Sequence, residues 1–121
     1  MQKLIGLLVL LSLVGCASTQ GPAVHDWATD VQNASTREAH LLLAEHYEQL
    51  AQTMEQDAEE QHRMLVQYQK RPHVYGKRIQ ELKSRSRAMI LDFKKAAEES
   101  RAMADYHRLL ADSAGDHVDA H

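Results

Sequence analysis

The chain has 121 residues, with 17 acidic and 14 basic side chains, one cysteine and a formal net charge of −3. This length allows one domain, and the single cysteine excludes an intramolecular disulfide. A mildly acidic balance argues against nucleic acid as a partner.

The first element is an apolar run at residues 4–14, which Lys3 precedes and only Gly6 and Ser12 interrupt. A cation followed by a short apolar run is typical of an export signal. The run is too short for a membrane span, which needs about 20 apolar residues. We therefore predict that residues 1–15 are a cleaved signal peptide.

The run ends in Leu13-Val14-Gly15-Cys16, which resembles the lipobox of bacterial lipoproteins, although the resemblance extends over only the first sixteen or seventeen residues. It implies that the Cys16 sulfur receives a diacylglycerol and that the chain is cut before this residue. The new amino group is then N-acylated, with palmitate as the expected group. Several acyl chains together anchor a protein stably. An ordinary secretory leader with an unmodified cysteine is the alternative.

The residue after Cys16 is Ala17 and not aspartate. By resemblance to the sorting of enterobacterial lipoproteins, this favours the outer membrane. We expect the rest of the chain to face the periplasm, with the membrane as a partner through the lipid.

Residues 16–34 are small and polar, with Gly21 and Pro22 near their start. This composition predicts a flexible tether that carries the lipid. Trp27 lies within it and has two interpretations. It either contacts a membrane or partner, or it folds back onto the base of the following domain, which we favour.

The pattern of residues 35–113 predicts an all-α fold, namely a two-helix antiparallel hairpin. The first helix, 35–70, begins at Ser35, because Ser35-Thr36-Arg37-Glu38 fits a capping box. Pro72 ends this helix, and Gly76 allows the chain to reverse.

The second helix is predicted over 77–113, since Gly115 is a plausible helix stop. The last residues, 114–121, are expected to be a disordered tail.

Apolar and small residues recur at steps of three and four in both helices, from Leu43 to Tyr68 and from Ile79 to Leu110. This spacing predicts a coiled-coil-like seam. Serines and alanines make the seam thin, and small domains of this kind are marginally stable. We therefore expect two hairpins to form a homodimeric four-helix bundle, or one hairpin to dock on an envelope protein.

A turn near residue 74 sets the expected register, in which the acidic middle of the first helix faces basic residues of the second. The expected acidic partners are Glu55, Asp57, Glu59 and Glu60, and the basic ones are Lys83, Arg85, Arg87, Lys94 and Lys95. Exposed pairs of this kind are weak individually, but their signs favour the antiparallel arrangement.

The same register brings His40 towards His107, with Met103 one helical turn away. Imidazole and thioether groups bind copper, and imidazole also binds zinc. We therefore take His40, Met103 and His107 as candidate metal ligands, and His62 as part of a second, poorer site. The alternative is a hydrogen-bonded seam histidine beside methionines that fill gaps.

Basic residues concentrate around the predicted turn. Seven of them lie between residues 70 and 87, against the single acidic Glu81: Lys70, Arg71, Lys77, Arg78, Lys83, Arg85 and Arg87. Such a basic tip favours contact with an anionic cell-wall polymer, a lipid phosphate or an acidic partner. The alternative is a solvated face that the first helix neutralises.

The sequence contains no glycine-rich phosphate loop, nucleophile elbow or His-Glu-x-x-His zinc motif, and we expect no enzymatic activity. We therefore expect a lipid-anchored structural or interaction module of the cell envelope. A periplasmic copper- or zinc-binding lipoprotein is the alternative function.

Overall fold

A computed structural model describes residues 24–116, and this part of the chain is all-helical, without a β-strand. The predicted signal peptide, Cys16, the first part of the tether and residues 117–121 lie outside the described residues. The helices are α1 (Trp27–Asn33), α2 (Arg37–Lys70), α3 (Pro72–Tyr75) and α4 (Ile79–Asp116). The all-α class is confirmed, and the long α2 pairs with the C-terminal α4.

The helix α1 occupies part of the segment that the sequence predicts to be a flexible tether, so that prediction is wrong for residues 27–33. Asp26 caps this helix, since its carboxylate accepts hydrogen bonds from the backbone N–H and the hydroxyl of Thr29. The Trp27 ring stacks on His46 of α2, with ring centroids 3.8 Å apart. Trp27 therefore folds back onto α2, the favoured one of its two interpretations.

The N-cap of α2 lies one residue later than the capping-box pattern predicts. Thr36, and not Ser35, is the N-cap residue, because its extended backbone lets its hydroxyl accept from the Ala39 backbone N–H at 3.1 Å. The hydroxyl thus satisfies one of the backbone donors that a helix start leaves free.

The connection between α2 and α4 is more regular than the predicted loop. Pro72 occupies the first position of the one-turn helix α3, where its missing N–H costs no helical hydrogen bond. Gly76 then adopts φ +57°, a left-handed conformation that glycine tolerates, and starts a 3-10 turn over Gly76–Arg78. Tyr68 and Tyr75 meet edge to face at 5.0 Å beside this turn.

Three contacts between α2 and α4 fix the antiparallel register. The Arg37 guanidinium donates to Asp112 at 2.9 Å, His40 lies against His107, and the Gln61 amide donates to the Ser86 hydroxyl at 3.0 Å. The residue numbers fall on α4 as they rise on α2. The register follows the expected turn near residue 74.

The interface between α2 and α4 is built largely from alanines. They recur every seven residues on each helix and are all buried: Ala44, Ala51, Ala58, Ala97, Ala104 and Ala111. Leu43 is the one large side chain that is almost completely enclosed among the described residues. Seven-residue spacing keeps such side chains on one line of a helix, and their small size lets two helices approach closely.

The predicted seam is correct for part of α4 only. Three of its members are buried: Ser86, Ser100 and His107. Three others are 44%, 39% and 48% exposed: Met89, Met103 and Leu110. The adjacent line of Ala97, Ala104 and Ala111 takes their place, because methyl side chains permit a closer approach of α2 than methionine and leucine do.

The end of α4 departs from the prediction, since the helix passes through Gly115 and reaches Asp116. The Arg37 side chain lies 3.6 Å from the position that a Cβ on Gly115 would take. Arg37 also donates to the Ala111 carbonyl at 3.4 Å. This contact satisfies a carbonyl of the last turns and extends the helix beyond Ser113.

The predicted ion-pair partners between the helices are also wrong. Glu55 pairs with Arg101, and Glu48 lies 3.2 Å from Arg108 and 3.9 Å from Arg101. The pairs Glu55–Arg101 and Glu48–Arg108 are each offset by nine residues, about 13.5 Å, from direct opposition. Side chains lean towards the N-terminus of their own helix, so partners on antiparallel helices lean towards each other and span this offset. Lys95 and Arg85 instead pair with Glu99 and Glu81 within α4.

Candidate functional site

Two histidines meet where the start of α2 packs against the end of α4, and this end of the helix pair, beside α1, is called the base. The Nδ1 atoms of His40 and His107 lie 3.2 Å apart, and the two rings are inclined by 29°. The approach that the register predicts is therefore present. At this distance one neutral ring donates its Nδ1 hydrogen to the lone pair of the other.

His107 is the more enclosed of the two, with 8% of its surface exposed. The ring of Tyr47 stacks on it at 5.6 Å. Burial, with a smaller contribution from the nearby His40, lowers the pKa of His107 below its usual value of 6.5. His107 is therefore neutral at pH 7, the form that binds metal ions.

The spacing of the two nitrogens suits a metal ion bound between them. At zinc–nitrogen distances of about 2.0–2.1 Å, nitrogens 3.2 Å apart subtend an angle of roughly 100°, close to tetrahedral. The described residues contain no group of three or more His, Cys, Asp or Glu side chains placed to hold a metal. The pair alone would therefore supply two ligands.

The other candidate ligands lie further from this pair. Met103 is one helical turn before His107 and is 39% exposed. His62 is 22 positions beyond His40, or about 33 Å along α2. It lines a groove with Glu59, Ile90 and Lys94.

A continuous series of aromatic contacts at the base, some stacked and some tilted, includes two histidines that the sequence analysis did not single out, His25 and His46. In spatial order the rings belong to His25, Trp27, His46, Tyr47, His107 and His40. Burial, followed by the charge of His25, lowers the pKa of His46. The adjacent pair His46-Tyr47 was the only signal in the sequence for a cluster at this position.

The predicted basic tip lies at the opposite end of the hairpin and is exposed from Gln69 to Arg78. Arg78 and Arg85 both pair with Glu81, at 3.3 and 3.0 Å. The other five basic side chains form no salt bridge with another described residue: Lys70, Arg71, Lys77, Lys83 and Arg87. Val74 adds a side chain that is 54% exposed beside them.

The structure therefore keeps the predicted sites apart. The histidine pair lies near the base, and the basic tip lies about 45 Å away, since some 30 residues of α2 separate them. Between residues 24 and 116, no helix is long and apolar enough to cross a membrane. No family model, curated protein or solved structure matches this chain.

Proposed function

We propose that this chain is a lipid-anchored interaction module of the bacterial cell envelope. In this proposal Cys16 carries the lipid and holds the chain at the outer membrane, facing the periplasm. The domain is a coiled-coil-like hairpin that dimerises into a four-helix bundle, and its basic tip contacts an anionic cell-wall polymer. The observation that carries the proposal is the exposed basic tip at the end of the hairpin remote from α1.

The charge of the tip supports binding to a polyanion. Residues 70–87 carry a net charge of +6, whereas the whole chain carries −3, so that the remainder carries −9. The acidic middle of α2 ends at Glu60, ten residues or about 15 Å before Lys70, which exceeds the Debye length of about 10 Å at 0.1 M salt. The tip therefore presents a positive potential to its surroundings.

Acidic residues within the tip offset little of its positive charge. Glu81 is the one acidic residue there, and two arginines share it. Exposed pairs of this kind contribute little, so that even these arginines remain available to an anionic ligand. The alternative, a basic face that α2 neutralises, would require ion pairs between α2 and the basic residues of the tip. The ion pairs between α2 and α4 among the described residues instead involve Arg37, Arg101 and Arg108, which lie outside the tip.

Removing two tip lysines tests the proposal. We expect the full chain carrying Lys77→Gln and Lys83→Gln to bind purified cell wall roughly thirtyfold more weakly than the wild type, at about 1 kcal/mol for each charge near an anionic surface. The measurement is cosedimentation with cell wall at 50 and 200 mM salt, with binding weaker at the higher salt.

The matched control carries Lys94→Gln and Lys95→Gln, which remove the same charge from the middle of α4. This variant is expected to bind as the wild type does. Equal loss in both variants, or no binding of the wild type at 50 mM salt, would contradict a role for the tip.

A second candidate function is copper or zinc binding, and the 3.2 Å separation of the His40 and His107 Nδ1 atoms favours it. The two imidazoles would hold the ion, with water or the Met103 thioether completing the coordination. We expect zinc to bind the full chain carrying Cys16→Ser at pH 7.5, and to bind more weakly at pH 5.5, because protons compete for the imidazoles.

The measurement is calorimetric titration. His40→Gln is expected to abolish the heat, while His62→Gln leaves it unchanged because His62 lies far along α2. Binding weaker than about 1 mM, or equal loss in both variants, would end this candidate.

A further inference from the structure

An apolar line on α4 is left uncovered by α2. Its members recur every seven residues over three heptads: Met89, Ala96, Met103 and Leu110. Ala96 is half-buried, and the other three are between 39% and 48% exposed. A repeat of this length and spacing is the pattern by which helices pack against further helices.

The pair of α2 and α4 has a charged side and an apolar side, and this line lies on the apolar side. Successive helical residues turn by about 100°, which places Arg101 and Arg108 on the opposite edge of the α4 interface from Met103. Those arginines pair with Glu48 and Glu55 of α2 and form a charged side. The side that carries Met103 lacks such pairs among the described residues.

The helix α2 contributes to the same apolar side. Leu50 and Met64 are two heptads apart and lie on the edge of α2 away from Glu48. Met64 is exposed and Leu50 is half-buried. The half-buried Asp57 lies between them on the same heptad line, and the outward side chains beside them are uncharged: Gln49, Thr53 and Gln56.

The size of the face suits a pair of identical chains. The line from Met89 to Leu110 is about 31 Å long. Two packed helices about 8–10 Å apart present a face roughly 20 Å wide. The footprint is therefore about 600 Å² for each copy, and about 1,200 Å² for two, which reaches the range of stable interfaces.

We propose that two copies of this chain pack through the line of Met89, Ala96, Met103 and Leu110 and form the core of a four-helix bundle. A second copy offers the same heptad line and a footprint of the same size, as a two-fold interface requires. The alanine seam within one hairpin buries few large side chains, and the dimer core adds the methionines and leucines to it. The inference deepens the proposed function, since it identifies the face through which the module dimerises.

Crosslinking tests which face is involved. In the full chain carrying Cys16→Ser, Met103→Cys is expected to give a disulfide-linked dimer on oxidation. Leu91→Cys, at a position that is 67% exposed on the other side of α4, is expected to remain a monomer. No dimer with Met103→Cys, or equal dimer formation at both positions, would overturn the proposal.

Sedimentation of charge variants gives a second readout in the same background. A dimer is expected for the parent chain and for Leu91→Glu, while Met103→Glu raises the dimer dissociation constant at least about tenfold by placing a charge in the core. Helical circular dichroism checks that each variant is folded. A parent chain that is monomeric at about 100 μM would contradict the proposal that a second copy covers this face. This holds even if the chain captures another envelope protein.

The two proposals fail in distinguishable ways. Loss of cell-wall binding in the tip variants leaves the sedimentation of the dimer unchanged. A monomeric parent chain that still binds cell wall through its lysines would overturn the dimer face alone.

Discussion

Ala104→Leu is expected to destabilise the hairpin by about 1–3 kcal/mol. Ala104 is completely buried and lies opposite the buried Leu43 in the register that His40 and Gln61 define. A leucine there adds three carbons to an interface in which small alanine side chains let the two helices pack closely. The helices must separate, and the neighbouring alanine contacts are then lost as well.

The matched control is Ala102→Leu, two residues away on the exposed face of α4. It adds the same atoms to the same helix and is expected to change stability by no more than about 0.5 kcal/mol. Urea unfolding followed by circular dichroism compares the two. Equal midpoints for both variants would show that Ala104 does not lie in a closely packed interface.

The fold class and register were predictable because they depend on local signals. Pro72 and Gly76 mark the turn, and uninterrupted helical spacing on either side leaves an antiparallel pair as the simplest packing. The approach of His40 to His107 follows from that register alone. The sequence therefore predicts the histidine pair without any knowledge of its geometry.

The face of α4 that packs on α2 was not predictable from the same pattern. Two adjacent lines have heptad spacing, one through Met103 and the other through Ala104, and only 100° separates them. A hydrophobicity pattern favours the line with the larger apolar side chains as the interface, whereas close packing of two helices favours the line with the smaller ones. The alanine line therefore packs on α2, and the methionine line stays uncovered.

Contacts between distant residues explain the remaining differences. A seven-residue helix is marginal on its own, and α1 depends on Trp27 stacking on His46, 19 residues away in sequence. The passage of α4 through Gly115 depends similarly on Arg37, which is far away in sequence. Such contacts have no local pattern that marks them.

Cys16→Ser is expected to abolish membrane retention completely. The proposed anchor is the lipid on this sulfur, and no helix between residues 24 and 116 is long and apolar enough to span the membrane in its place. Ser18→Ala, which leaves the cysteine intact, is the control and is expected to stay with the membrane. Fractionation of cells that express each variant gives the comparison, and membrane retention of the serine variant would contradict the assignment.

The anchor itself is tested most directly by mass spectrometry of the protein recovered from bacterial membranes. Because no lysine or arginine lies between Lys3 and Arg37, trypsin releases the whole segment in one piece. We expect a peptide over residues 16–37 with the added mass of a diacylglycerol and one further acyl group on Cys16. A peptide over residues 4–37, with the leader uncut and the thiol unmodified, would contradict the proposal that Cys16 carries a lipid anchor.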